Sequence, residues 1–150
     1  MSIYWKIASS EPSTWTWGTS ANVDWVVQVA AVQNPGDAVT PTDVSGIQNN
    51  ASSANVLAPA VVTTLANGLM IGFFGVRALT TFTPDGSMTE VQDAQGSTFV
   101  SLETAWQSIA ATGSTGTRTA VAGSAAVNIG WLGVVKGPAV SLDSPFFWSM

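Results

Sequence analysis

The chain has 150 residues, 46% hydrophobic and only 9% charged, with 4 basic and 9 acidic side chains and a net charge of −5. One domain of ordinary size fits that length. A charged fraction far below the roughly 25% of a typical soluble domain, and acidic in balance, excludes a phosphate-neutralising groove for nucleic acid and polybasic docking to a membrane. There is no Cys and no His, so disulfides, thiolate metal sites, a cysteine nucleophile and Ser-His-Asp chemistry are ruled out. The balance leans away from an enzyme, and no cofactor is expected.

Seven Trp and six Phe supply enough large apolar surface to offset the entropy of ordering, so disorder is not expected. The most apolar run, LMIGFFGV at 69–76, falls well short of the roughly 20 residues of a helical membrane span. The first residues, MSIYWKIASSEPS, lack the charged region and apolar run of a secretory signal.

In chain order the periodicity is that of strands. Ile3, Trp5 and Ile7 alternate with Tyr4 and Lys6 and predict a first short strand, and Pro12 interrupts pairing after it. Thr14-Trp15-Thr16-Trp17 predicts a second, with both Trp on one face, and Val23 to Val32 a third, with Trp25, Val27 and Val29 on one face. The segment 33–55 collects turn formers and almost no large apolar residue. It reads as a long, partly extended surface excursion of the kind that often carries function. Val56 to Thr64, kinked by Pro59, reads as an edge strand, and Leu69 to Val76 as a strand buried on both faces.

Thr83-Pro84-Asp85-Gly86 is a turn, because Pro presets φ and Gly accepts φ > 0. Met88 to Gln92 follows as a strand, and Gln95-Gly96-Ser97 turns into Thr98 to Ser108, with Val100, Leu102 and Trp106 sharing a face. After a turn at Gly113 to Gly116, the stretches 116–122 and 125–135 read as a last hairpin. That hairpin weakly echoes residues 14–32. Nine or ten short strands at this spacing predict an all-β, antiparallel β-sandwich, jelly-roll-like, over residues 1–143, with an aromatic tail at 144–150.

Several segments together carry a resemblance. KIASSEPSTWTW (6–17), APAVVTT (58–64), GLMIGFFGVRA (68–78), TFTPDGSMTEVQDA (81–94) and GSTGTRTAVAGSAA (113–126) resemble, in order and spacing, a β-sandwich domain of phage virion proteins and bacterial surface proteins. Its opening pattern is K-x-A-x-x-E-P-x-x-Y/W-x-W, and the likeness covers most of residues 4–135. It implies a compact sandwich acting by surface contact on virion heads, tails or extracellular polymers, with no catalytic motif to carry over. Longer members similar to this chain are expected to have two or three strands ahead of the segment matching Tyr4-Trp5-Lys6. One sandwich edge is therefore expected to be open here and completed by a neighbouring chain.

Candidate sites follow. Asp85, Glu90, Asp93 and Glu103 are the carboxylates from which a glycosidase pair or a Ca²⁺ site could be drawn, Arg77 being a possible ion-pair partner. Acidic residues near turns are ordinarily just solvated. Trp25, Trp106 and Trp131 sit in apolar runs and are expected in the core, whereas Trp15 and Trp17 are as well placed for a glycan platform. In the tail, Phe146, Phe147 and Trp148 would forfeit roughly 1.5–3 kcal/mol each if left in water. They either fold back on the chain's own sandwich or anchor it to a neighbour. Asn50-Ala51-Ser52 has the form of a glycosylation acceptor.

The expected role is that of a non-enzymatic virion structural protein, assembled in the host cytoplasm. A homo-oligomeric capsid decoration or cement protein fits best, contacting capsid or tail proteins through Ile3, Trp5, Ile7, Phe146, Phe147 and Trp148. The alternative is a tail or surface adhesin that binds glycans through Trp15 and Trp17.

Overall fold

The computed structural model describes residues 1–18, 21–33, 35–37 and 39–137, and the backbone of 147–148. Among these residues there is no helix, and every pairing between strands is antiparallel. In chain order the strands are β1 (Val29–Ala30), β2 (Thr42–Ala58), β3 (Val62–Thr63), β4 (Gly68–Val76), β5 (Phe82–Thr83), β6 (Thr89–Gln95), β7 (Ser101–Ile109), β8 (Gly113–Ser114), β9 (Arg118–Val135) and β10 (Phe147–Trp148). The main sheet runs β2-β9-β4-β7-β6, with β5 added to β9, and two small ribbons, β1-β10 and β3-β8, flank it. The fold is all-β and sandwich-like, as the strand spacing predicts.

The two longest strands do not conform to the prediction of short strands. β2 has 17 residues and β9 has 18, and they pair along nearly their whole length. Their register slips between Asn50 and Asn55, and there the ribbon bends. One half, Thr42–Asn50 with Asn128–Val135, is continued by β4, which pairs with β9 from Leu69↔Val135 to Val76↔Asn128. The other half, Asn55–Ala58 with Arg118–Val121, is flanked by β5. A single folded ribbon thus belongs to both layers. The layers meet so closely at Gly130 that a Cβ there would lie 2.3 Å from the Leu57 carbonyl oxygen. Only glycine lets one backbone pass that near another.

Two asparagines hold the bend. The Asn128 side chain, 3% exposed, donates from Nδ2 to the carbonyls of Ser53 (3.0 Å), Ala126 (3.1 Å) and Asn55 (3.4 Å). Its Oδ1 accepts from Asn50 Nδ2 at 2.8 Å, and Asn50 Nδ2 donates also to Leu57 O at 2.9 Å. Backbone carbonyls that a bent ladder leaves unpaired are met by amides instead of water.

β4 is buried on both faces, as its apolar run predicts. Met70, Phe74 and Val76 face the space between the layers with Leu132, Val134, Ala105, Val56 and Phe82. Leu69 and Ile71 lie on the opposite face and are buried too. There Trp131 is stacked at a tilt on Phe73, ring centroids 5.5 Å apart.

Other expectations are overturned. No strand forms over Ile3–Ile7 or Thr14–Trp17, and Val23–Val32 contributes only Val29–Ala30. The predicted first sheet edge at Ile3, Trp5 and Ile7 is therefore absent, and so is the hairpin at 14–32 whose echo suggested paired sheets. From Thr42 onward the predicted surface excursion is β2, in which Ser45, Ile47 and Asn49 point outward, Gly46, Gln48 and Asn50 are half-buried, and the backbone pairs with β9. The predicted hairpin at 116–135 is one continuous strand, because Gly123-Ser124 lies at a bend and not at a reversal. β6 and β7 form the predicted hairpin, and Gly113 and Gly116 both take positive φ at the predicted turn.

Candidate functional site

None of the described residues of 1–18 and 21–28 joins a sheet. A local turn organises the first part. Lys6 Nζ lies 2.9 Å from the Glu11 carboxylate and 4.9 Å above the Trp15 ring, and Glu11 Oε1 accepts the Ser9 N–H at 3.0 Å. The Ser9 amide and the Lys6 ammonium hold Glu11 below the usual carboxylate range. Three residues of the K-x-x-x-x-E-P-x-x-W spacing are thus brought together by a cation–π contact and an ion pair.

The second part is a strap over the β6–β7 hairpin. Thr98 Oγ1 donates to Asp24, Thr104 Oγ1 donates to Gln28 Oε1, and Gln28 Nε2 donates to the Gln92 carbonyl at 2.9 Å. Gly96 leaves room for it, since a Cβ there would lie 2.8 Å from the Trp25 carbonyl oxygen. Between strap and hairpin lies an open cleft of about 480 Å³, with Trp15, Trp17, Trp25 and Val27 on one side and Ala94 and Gln95 on the other.

This arm is apolar yet uncovered. Tyr4 is 81% exposed, Trp5 56%, Trp25 48%, Trp17 45% and Trp15 44%. Ile7 is exposed and Ile3 half-buried. Trp25 is therefore not the core residue that its apolar run predicts. Trp106 and Trp131 are half-buried. A run of exposed aromatics of this kind marks an interaction surface more often than an ordinary monomer face.

In the tail, the backbone of Phe147–Trp148 pairs with Val29–Ala30, Val29 opposite Trp148. The tail thus returns to its own chain at the end of the strap. Phe146 lies outside the described residues.

The carboxylates differ in environment, and of the four only Glu90 is exposed as a merely solvated acid would be. Asp85 caps a turn and reaches the other layer: its Oδ1 accepts from Ser87 N at 3.0 Å and its Oδ2 from Thr119 N at 3.0 Å. Arg118 Nε lies 4.0 Å from it. Burial alone would raise the Asp85 carboxyl, but these donors and Arg118 hold it below its ordinary value. Glu90 is exposed on the edge strand. Glu103 is 0% exposed, and burial pushes it up to about 8, with Asp93 and Glu90 adding to the rise. Parity along β7 could have exposed this, since Glu103 sits two positions from Ser101 and from Ala105. Leu102 and Trp106 make the other face the more conspicuously apolar one, yet that face lies under the strap and the interior lies on the Glu103 side.

Asn50, the apparent glycosylation acceptor, has its amide nitrogen committed to the ribbon bend. Among the described residues no group of three or more acidic side chains is arranged to hold a metal ion. No protein-family profile, curated protein or solved structure matches the chain.

Proposed function

We propose that the chain is a non-enzymatic structural subunit of a bacteriophage virion, a small sandwich that decorates or cements the capsid by packing against its neighbours. The observation that carries this reading is the N-terminal arm, whose described residues 1–18 and 21–28 lie outside every sheet and present exposed Tyr4, Trp5, Trp15, Trp17 and Trp25. Burying a fully exposed large apolar side chain gains roughly 1.5–3 kcal/mol, and these rings, about half exposed apart from the more open Tyr4, keep a good part of that to gain on another subunit. The chain's scarcity of charge agrees, because few ions would have to be desolvated on contact. Aromatic anchors of this kind tend to dominate binding energy where they fill a partner's pockets.

The test is to count copies of the chain in purified particles and to repeat the count with Trp5→Ala and Tyr4→Ala together. Hundreds of copies per particle, lost in the double variant, support the capsid role. A chain that never enters particles refutes it. A second reading, an adhesin module binding glycans, is favoured by one observation, the cleft that gathers Trp15, Trp17 and Trp25. Binding on a glycan array that disappears in Trp15→Ala or Trp17→Ala would support it over packing.

A further inference from the structure

The antiparallel register sets Asp93 directly opposite Glu103 and Glu90 opposite Ala105. Facing side chains of such a pair have Cβ atoms about 4.5–5.5 Å apart. A bulge between Glu90 and Gln92 puts an extra residue into β6, so Glu90 and Asp93 lie on the same face although three positions apart. That face looks between the layers. On the other side of Glu103 the register neighbour is Phe74, also 0% exposed, and Ser101 and Ala105 beside it are equally buried. Asp93 Oδ2 accepts the Phe82 N–H at 2.8 Å. Asp93 Oδ1 and both oxygens of Glu103 are buried without a hydrogen-bond partner.

Three acceptor atoms enclosed together leave one economical solution. Two carboxylates so placed cannot both ionise, whereas a protonated carboxyl becomes a donor to its neighbour. No basic side chain is available to serve instead. The chain has four basic side chains, and each is accounted for: Lys6 pairs with Glu11, Lys136 with Asp37, and Arg118 donates to Gln107 Oε1 and neighbours Asp85, while Arg77 is exposed beyond the end of β4. β4 brings no ionisable group, β5 brings Phe82, and the facing part of β9 brings only Arg118.

We propose that Glu103 and Asp93 form a one-proton carboxyl pair inside the sandwich, an acid–carboxylate hydrogen bond that latches the outer strand β6 to the core and releases it when the proton leaves. β6 is the last strand of the main sheet, its backbone ladder made with β7 alone, so it is the element that repulsion across the pair would lift. The direction of the pH dependence follows from burial. Glu103 is raised from 4.5 to about 8 by its enclosure first and by the charges of Asp93 and Glu90 second, and burial raises Asp93 too against the lowering effect of the Phe82 N–H. From about pH 4.5 to 8 the folded chain keeps a proton that the unfolded chain has lost. The folding constant therefore falls by up to about tenfold per pH unit across that window and levels off above it.

The experiment is an infrared titration of the whole chain, coupled to urea unfolding between pH 5 and pH 9, on the wild type and E103Q. The glutamine of E103Q keeps the shape of the native side chain and still donates to Asp93 but cannot ionise. The expected result is a protonated-carboxyl C=O band at pH 7 in the wild type that fades by pH 9 and is missing from E103Q. A fall in the wild-type folding constant of roughly a few hundredfold between pH 5 and 8 should be largely abolished in E103Q. At pH 9 the amides of 89–95 should exchange faster in the wild type than in E103Q. The proposal is overturned if no such band exists at pH 7, if the two proteins show the same pH slope, or if added Ca²⁺ removes the band while raising the urea midpoint. Should E103Q fail to fold, the wild-type band decides alone: one that fades by pH 9 supports the pair, and none at pH 7 refutes it.

Discussion

Replacing Asn128 by alanine removes the clamp at the bend of the β2–β9 ribbon. The side chain makes three donated bonds of 3.0–3.4 Å and accepts a fourth of 2.8 Å, and it is 3% exposed. A hydrogen bond contributes a net of about 1 kcal/mol, and a buried polar group left without its partner costs about 1–3 kcal/mol. The 3.4 Å bond is weak, and Asn50 Nδ2 keeps its second acceptor at Leu57, so the expected loss for N128A is about 3–4 kcal/mol. That is a large share of the roughly 5–15 kcal/mol by which domains are stable. Urea unfolding followed by tryptophan fluorescence would show it as a lower midpoint at unchanged slope. N128D sharpens the test. A carboxylate has the amide's shape but cannot donate, and it would face the carbonyls of Ser53, Asn55 and Ala126. At neutral pH N128D should be less stable than N128A. A loss below about 1 kcal/mol in N128A, or an N128D variant that matches it, would refute the clamp.

Gly130→Ala should destabilise severely, because its Cβ would meet the Leu57 carbonyl oxygen at 2.3 Å with backbone on both sides, whereas Gly86→Ala, which meets nothing within 4 Å, should leave the midpoint nearly unchanged. Phe74→Ala empties the centre of the core and should cost about 3–5 kcal/mol, read by calorimetry or urea. Gln28→Ala removes the strap's bonds to Gln92 and Thr104. Acrylamide quenching of tryptophan should rise as the strap lifts, with a change in global stability of only about 1 kcal/mol.

What could be read from the sequence was governed by how much each local pattern depends on distant partners. Leu69–Val76 was legible because a continuous apolar run bounded by Gly68 and Arg77 has few uses other than a strand covered on both faces. The β6–β7 hairpin was legible because its chemistry is local, whereas the turn expected at Thr83–Gly86 closes two residues later, where the Met88 N–H donates to Asp85 O at 2.8 Å, and Gly86 does not take the positive φ expected of it. β2 was not. GIQNNASSAN is composed like a loop and becomes a strand only because β9 supplies its hydrogen-bond partners, the context dependence expected of β-propensity. The arm failed in the opposite sense. Ile3, Trp5, Ile7 and Trp15, Trp17 alternate as in a strand, yet an extended chain laid on a surface has the same period of two without any ladder. The site was half legible: Trp15 and Trp17 do line one cleft, but Trp25 completing it and the burial of Glu103 depend on what crosses each face of β7.

The folded ribbon also fixes when the chain can become a protein during synthesis. Thr42 must find Val135 across more than half of the sequence, while β4, β7 and β6 need only near neighbours. The outer half of the ribbon and β5 have no sheet to join until β9 exists. Pairings of such long range are slow, since the entropy of closing the loop is lost before any contact repays it. Until β9 is made, only β4, β7 and β6 have strand partners of their own, and both layers are completed by that one strand.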